Sequence, residues 1–373
     1  MIALGNKRLL DNKLAAVLNS SQSKTPCGND SWIKGSTRAV KALIENGYTI
    51  LTSIELVTWE LLTFLVSEYG GSQVIVSPIG DKDSCKTIFE KTVTQFHLDE
   101  DKAAMVFVKS EADSRKPKST WFKRDKAVIQ LADLLAPVSI RPGGRLEKLL
   151  SETKKSTSSE FRIHYAKPLA NPPGYDFSEA KFPEGIWDYI VHWTRTCHGP
   201  WPGESKYDFL NRLVNSGSEY PNNAFRSLKN MIKTEKIYAS SKRIRKSIRC
   251  IGFSDLGPES MLKLMRWLPK RVSWNFEPYG LAIKKDAASD FEIRRVIYGD
   301  NEVYEKLSEE NRPYFQSRGS EEVDWSEENE WRKLGDLTLD KIHRKDLALI
   351  VWSKAEASEI SNITDIKVFS LGS

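Results

Sequence analysis

Up to residue 140 the chain alternates short apolar runs with helix-like segments, and that alternation leaves few folds open. Leu14 to Leu18, Tyr48 to Thr52, Gln73 to Ser77, Ala104 to Val108 and Ala136 to Ile140 read as strands. Between them, residues 32–46 form a helical segment that stops at Gly47, a second helix begins near Thr58-Trp59-Glu60, and a third covers residues 84–96. A fourth, mostly apolar helix is carried by Ala127, Ile129, Leu131, Ala132, Leu134 and Leu135. Strands and helices alternating over such short connections predict a parallel, doubly wound α/β sheet.

Ligands of such sheets bind beyond the carboxyl ends of the strands. Asn19 and Ser20 fall at the end of the first run, Thr52 and Ser53 at the end of the second, and Arg141-Pro142-Gly143-Gly144 at the end of the last. Thr58 opens the second helix, and an Arg124-Asp125 pair sits on the helix that feeds the last strand. Glycine lets a backbone approach a ligand closely, and a helix starting near Leu146 directs free N–H groups at an anion. Guanidinium groups such as those of Arg124 and Arg141 bind phosphate in a bidentate manner. An isolated Pro-Gly-Gly reads as a solvated turn. Its position among the strand ends favours a phosphate pocket built from Asn19, Ser20, Thr52, Ser53, Thr58, Arg124, Arg141, Gly143 and Gly144.

The order "strand, Asn-Ser loop, helix, Thr-Ser loop, Thr-Trp-Glu-Leu helix", followed by Arg-Asp, Ala-Asp and Pro-Gly-Gly, resembles the Rossmann-like nucleotide-binding superfamily that joins DprA (Smf) to the Lonely Guy phosphoribohydrolases (SLOG). The resemblance covers about the first 150 residues and implies a nucleotide-derived ligand. Lonely Guy enzymes carry Arg-Lys and then Pro-Gly-Gly-x-Gly-Thr-x-x-Glu, whereas here Arg124 precedes Asp125 and Gly144 is followed by Arg145-Leu146-Glu147. DprA-like proteins have a Gly-rich loop after the second strand, where this chain reads Thr52-Ser53-Ile54-Glu55-Leu56. A nucleotide pocket without its catalytic residues fits a sensor better than a hydrolase. DprA-like DNA handling and hydrolysis of a nucleoside monophosphate at Arg124 are the alternatives that the resemblance carries.

At 373 residues the chain exceeds one typical core, so two domains are expected. The polar stretch at 152–160 and the proline-rich stretch at 168–176 divide it into residues 1–150, a linker at 151–184 enclosing a possible edge strand at 161–166, and a second, α+β domain at 185–373. Leu9-Leu10 is followed at once by Asp11, Asn12 and Lys13, so no signal peptide is read, and no apolar run approaches membrane-spanning length. Cys27, Cys85, Cys197 and Cys250 are scattered without a Cys-x-x-Cys pair, which suggests neither zinc nor a disulfide framework and places the chain in a reducing cytoplasm. The net charge of +6 is modest but uneven. Lys242, Arg243, Arg245, Lys246 and Arg249 form a basic segment suited to nucleic acid, while Glu321, Glu322, Asp324, Glu327, Glu328 and Glu330 form an acidic one. Either can equally be a solvated face.

Three passages of the second domain carry chemistry. Val191 to Glu204 presents His192, Thr194, Arg195 and His198 beside tryptophans and a rigid Gly-Pro-Trp-Pro-Gly turn. Residues 249–254 read as a strand ending at Ser254, and residues 274–285 as a strand broken by Pro278, which puts Glu277 and Tyr279 at an edge or bulge. In residues 324–332, Trp325, Glu328 and Arg332 recur at helical spacing, as do Glu327 and Trp331; if extended, Glu328, Glu330 and Arg332 share a face. Carboxylates beside tryptophan are raised in pKa by desolvation, or are held ionised by a neighbour such as Arg332. Together with Arg295-Val296-Ile297-Tyr298, these passages resemble domains of bacterial abortive-infection proteins, which are similar in turn to ADP-ribosyltransferases. That resemblance implies NAD as a co-substrate in a defence or stress setting. It casts His192 as the ribose grip, Tyr279 as the nicotinamide stack and Glu328 or Glu330 as the catalytic carboxylate, with Thr194, Arg195, Ser254 and Arg332 lining the pocket. No metal is expected.

Overall fold

The computed structural model describes residues 2–79, 84–109, 117–166, 174–182, 185–241, 244–269, 272–320 and 323–372. They fall into two compact units: residues 1–169 with 198–221, and residues 170–197 with 222–373. Residues 198–221 thus belong with the first unit, although they lie beyond both the 150 and the 185 boundaries read from composition.

The first unit is a seven-stranded sheet in the order β1-β5-β4-β3-β2-β6-β7. Its strands are β1 (Ile2–Gly5), β2 (Leu14–Asn19), β3 (Thr49–Ser53), β4 (Gln73–Ile79), β5 (Ala103–Lys109), β6 (Leu134–Ser139) and β7 (Ser156–Thr157). All neighbours pair in parallel except β1, which runs antiparallel to β5. This is the expected Rossmann-like doubly wound sheet with an added edge strand. Every residue of β2 and β3 is buried, as central strands covered on both faces require. The chain leaves β2 for β3 on one side and β6 joins β2 on the other, so the order reverses between β2 and β6. That reversal opens a crevice at their carboxyl ends.

The helices are α1 (Ser31–Glu45), α2 (Val57–Glu68), α3 (Cys85–Phe96), α4 (Pro117–Leu131) and α5 (Arg145–Glu152). In α1, Trp32, Ile33, Ser36, Ala39, Val40 and Leu43 make one buried stripe, and Gly47 ends the helix at φ +76°. By contrast, α2 is buried continuously from Thr58 to Val66. A helix that is apolar all round needs cover on both sides, and α6 (Lys206–Val214) supplies the second side. Phe209, Leu210 and Leu213 join the same core, Tyr207 meets Phe64 edge-on at 5.1 Å, and the Lys206 ammonium donates to both oxygens of Glu60 at 2.9 Å.

Two sequence expectations change here. Leu134 and Leu135 belong to β6, because the helix stops at Leu131 and a short apolar run does not by itself distinguish helix from strand. Residues 161–166 form no strand beyond a single bridge between Ile163 and Ser139.

The second unit is α+β. Its main sheet contains β8 (Tyr189–Trp193), β9 (Cys250–Ser254), β10 (Gly280–Lys284), β11 (Arg294–Arg295), β12 (Glu330–Leu334), β13 (Leu347–Val351) and β14 (Lys367–Ser370), in the order β11-β12-β9-β8-β10-β13-β14. Within this sheet, among the described residues, β13 and β14 pair in parallel and the other neighbours antiparallel. Helix α7 (Ala224–Thr234) buries Phe225, Leu228 and Ile232 against Ile251, Phe253 and Leu281. Pro278 lies just before β10 rather than within it. The acidic passage is a short 3-10 turn, Trp325–Glu328, leading into β12. Among the described residues, no helix is long and apolar enough to cross a membrane.

Candidate functional sites

The crevice between β2 and β6 is a cleft of about 510 Å³. Its rim is Asn19 at the end of β2 and Ser20, Ser21 and Gln22 after it, Leu56, Thr58 and Trp59 at the start of α2, Trp121, Phe122, Arg124 and Asp125 on α4, Arg141, Gly144, Arg145 and Leu146 after β6, and Tyr165. The Ser20 hydroxyl accepts from the Arg141 backbone N–H at 2.9 Å and so ties the two strand ends together. The Gln22 amide donates to the Ser139 hydroxyl at 3.0 Å and to the Ser20 carbonyl at 3.2 Å. Arg145 opens α5, whose first N–H groups have no partner within the helix.

Arg124 is fully buried. Its Nε and Nη2 donate to one Asp125 oxygen at 3.0 and 2.9 Å, and its Nη1 donates to the Ile54 carbonyl at 3.4 Å. Burial pushes the Asp125 carboxyl up, against the opposing pull of Arg124. With these two charges cancelling, the positive charge of the cleft rests on the exposed Arg141 and Arg145.

Of the residues read from sequence, Asn19, Ser20, Thr58, Arg124, Arg141 and Gly144 come together here. Thr52 and Ser53 do not line the cleft. Both are fully buried in β3, with their hydroxyls donating to the Gln73 side chain at 2.9 Å and to the Val76 carbonyl at 2.7 Å. Gly143 adopts φ +67° as the turn requires, yet it too lies off the cleft, and its N–H donates to the Glu147 carboxylate at 2.7 Å. Sequence reasoning missed the rings of Trp59, Trp121, Phe122 and Tyr165 and the charge of Arg145. Amphipathic spacing gave no sign that Phe122, 39% exposed, stands out of the core.

A second cleft, of about 330 Å³, lies in the second unit. His192, Thr194 and Arg195 come from β8 and its exit, Gly252 and Ser254 from β9, Glu328 and Glu330 from the turn into β12, and Met231 and Phe276 from the flanks. The His192 Nδ1 lies 2.8 Å from the Gly252 carbonyl, which can only accept, so Nδ1 carries the proton and Nε2 is an acceptor. Burial pushes the His192 pKa down, and the imidazole is neutral at pH 7. Nitrogen NMR should therefore show an Nδ1–H tautomer with a titration midpoint below 6.5; a midpoint above that contradicts the assignment. Because the folded pKa lies below the unfolded value, this group's contribution to stability is complete above pH 6.5 and is lost as the pH falls from there through the lowered midpoint.

Both Glu330 oxygens accept from Arg332, from Nε and Nη2, at 2.9 Å. Gly252 leaves room for this carboxylate, since a Cβ there would stand 3.1 Å from Glu330 Oε1. Arg332 is buried behind Glu330 rather than lining the cleft, and it also donates to the Phe315 carbonyl at 2.9 Å and the Gln316 side chain at 2.6 Å. The Ser254 hydroxyl donates to the Glu328 carbonyl at 2.9 Å.

Tyr279 lies outside this cleft. It is buried, its hydroxyl donates to Glu356 at 2.9 Å, and its ring packs against Tyr175 and Phe225, so it has no free face for a ligand. Glu277 is buried as well. Burial pushes its pKa up, while the Thr196 N–H and hydroxyl, at 2.6 and 2.9 Å, oppose that shift. His198 belongs to the first unit.

In the basic segment, Arg245 stacks on Tyr304 at 3.9 Å and Arg249 pairs with Asp336 at 3.0 Å, so both are engaged within the fold. Lys242 and Arg243, like Glu321 and Glu322, lie outside the described residues. Among the described residues, no cluster of three or more His, Cys, Asp or Glu side chains could hold a metal ion.

No protein-family model matches the chain, and no curated protein matches it in sequence. Among solved structures, DNA processing protein A from Helicobacter pylori, described for its single-stranded DNA binding mode, is similar over 42% of this chain and 68% of its own, with 14% identity and a TM-score of 0.32. DprA from Streptococcus pneumoniae matches over 42% of this chain and 52% of its own, with 15% identity and a TM-score of 0.32. The molybdenum cofactor carrier protein from Chlamydomonas reinhardtii matches over 39% and 74%, with 16% identity and a TM-score of 0.27. Similarity at this level carries no information on function.

Proposed function

We propose that the first unit binds a phosphorylated aromatic small molecule of the nucleotide type, as a sensor rather than a hydrolase. One observation carries this reading: a single switch-point cleft gathers the exposed Arg141 and Arg145, the start of α5 and four aromatic rings. Guanidinium groups and a helix N-terminus hold phosphate, and aromatic faces stack a base. Asp125 is the one carboxylate among the described lining residues, and it is locked to Arg124, which leaves no acid–base pair to cleave a bond. Trp59 and Trp121 report binding by fluorescence. Nucleoside monophosphates should quench it, inorganic phosphate should compete, and unphosphorylated nucleosides should bind far more weakly. Equal affinity for nucleoside and nucleotide contradicts the reading. Single-stranded DNA would use the same chemistry along several phosphates, and a steep loss of affinity with salt for oligonucleotides but not mononucleotides would favour it instead.

For the second unit, the pairing of a His192 acceptor with the Glu330 carboxylate that Arg332 holds in place favours a hydroxyl-bearing, cation-forming ligand, and NAD fits that description. In this reading His192 accepts from a ribose hydroxyl, and Glu328 and Glu330 face the developing positive charge. Nicotinamide should be released from NAD, and the Glu328→Gln, Glu330→Gln double variant should abolish release. Unchanged turnover in that variant overturns the enzymatic reading. Together the two proposals describe a sensor unit and an effector unit in one chain, as a defence protein would need.

A further inference from the structure

We infer that Arg245, Lys246 and Arg312 form a site in the second unit for the phosphodiester backbone of a nucleic acid, bound through charge and without regard to sequence. The inference is independent of the ligands proposed above for the two clefts.

The three cations converge on one ring. Tyr304, on the short helix Asn301–Lys306, has the Arg245 guanidinium 3.9 Å from its ring centroid, that of Arg312 at 5.4 Å and the Lys246 ammonium at 5.8 Å. Arg245 also donates to the neutral Asn301 side chain at 3.0 Å. Among the described residues, none of the three cations makes an ion pair with a carboxylate, and Glu302 and Glu305, exposed on the same helix, engage none of them. Separations of this order are comparable with the Debye length of about 8 Å at physiological ionic strength, so the three fields add rather than being screened from one another. Attraction to the ring offsets part of the mutual repulsion, and an anion removes the rest.

Two features set this group apart from a solvated basic face. Adjacent side chains ordinarily diverge, by about 100° on a helix and 180° on a strand, yet Arg245 and Lys246 reach the same ring. The backbone there is left-handed at two successive residues, Lys246 at φ +57° and Ser247 at φ +54°, a conformation that residues with a Cβ rarely adopt. In addition, Arg312 is half-buried, and its Nε is buried without a hydrogen-bond partner. A cation withdrawn from water is ordinarily paired. A bound anion supplies the counter-charge that the fold leaves out.

The surroundings say which anion. Tyr304 is 5% exposed and packed edge-on by Phe315 at 5.1 Å, so it offers no face on which a base could stack. What a ligand meets is charge, since Arg245 and Lys246 are exposed. Arg318, exposed as well, donates its backbone N–H to the Gly299 carbonyl at 3.3 Å, which sets a fourth cation beside the start of the same helix. Exposed cations of this kind hold a single phosphate weakly and a run of phosphates well, because each contact releases a counterion.

The test uses the full chain carrying Arg141→Glu and Arg145→Glu, so that the first cleft does not contribute, with a labelled single-stranded oligonucleotide of about 20 nucleotides. Anisotropy should show binding that weakens with salt, the slope of log affinity against log salt being about −2, since each contact to a single strand contributes about −0.7. Two unrelated sequences of equal length should bind alike. Adding Arg245→Ala with Lys246→Ala should weaken binding about tenfold or more at about 50 mM salt and flatten the slope to about −0.7. Adding Lys246→Glu alone, which leaves Arg245 on the ring, should weaken it about fivefold or more. Unchanged affinity in the Lys246→Glu protein overturns the inference, as does absence of oligonucleotide binding at low salt. Inorganic phosphate or AMP competing as well as the oligonucleotide would show a single-phosphate site instead, and binding to phosphatidylserine vesicles in place of the oligonucleotide would show a membrane surface; either result overturns it.

Discussion

Replacing Arg332 with alanine is expected to destabilise the second unit by about 3–5 kcal/mol, the usual consequence of removing one partner from a buried ion pair. The Arg332 side chain is 1% exposed, and its guanidinium serves Glu330, Phe315 and Gln316 at once. Without it, the half-buried Glu330 carboxylate loses its counter-charge, and the Phe315 carbonyl loses a donor. For a unit of this size the melting temperature should fall by roughly 6–20 °C. Joining Glu330→Gln to Arg332→Met should recover much of the loss, because the uncompensated charge is then gone. Calorimetry of the single and double variants checks both expectations; a single-variant loss below about 1 kcal/mol would mean that the pair behaves as a surface ion pair does.

Arg141→Glu with Arg145→Glu should weaken binding in the first cleft by about 100-fold or more, since each charge-assisted bond to phosphate contributes about 1.5–3 kcal/mol and both charges become repulsive. The fold should be unaffected, because both side chains are exposed. Titration of a nucleoside monophosphate against the double variant, with melting as the control, gives the answer. A loss smaller than about fivefold would place the anion elsewhere.

Much of the first unit could be read from its sequence, because central parallel strands are nearly continuous apolar runs and their ends mark the ligand edge. Asn19, Ser20 and Arg141 were found on that basis. Thr52 and Ser53 were misplaced by the same rule: a polar residue at a strand end also serves a neighbouring strand, as the contacts with Gln73 and Val76 show. The cover over α2 was beyond local patterning, since Lys206 meets Glu60 across 146 residues of chain. In the second unit, the shared face of Glu330 and Arg332 followed from strand periodicity once the passage was taken as extended. The resemblance casts Tyr279 as a ring that stacks on nicotinamide, and Pro278 beside it reads as an edge or bulge near a pocket. The burial of Tyr279 depends on Tyr175, Phe225 and Glu356, which come from three distant segments.

The most direct test of the central claim is mass spectrometry of small molecules released by denaturing the purified protein, combined with titration of nucleoside monophosphates where none is retained. A phosphorylated, ultraviolet-absorbing compound should be held by the wild-type protein and lost from the Arg141→Glu, Arg145→Glu variant. A ligand without phosphate, or one held equally by the charge-reversed variant, would contradict the account.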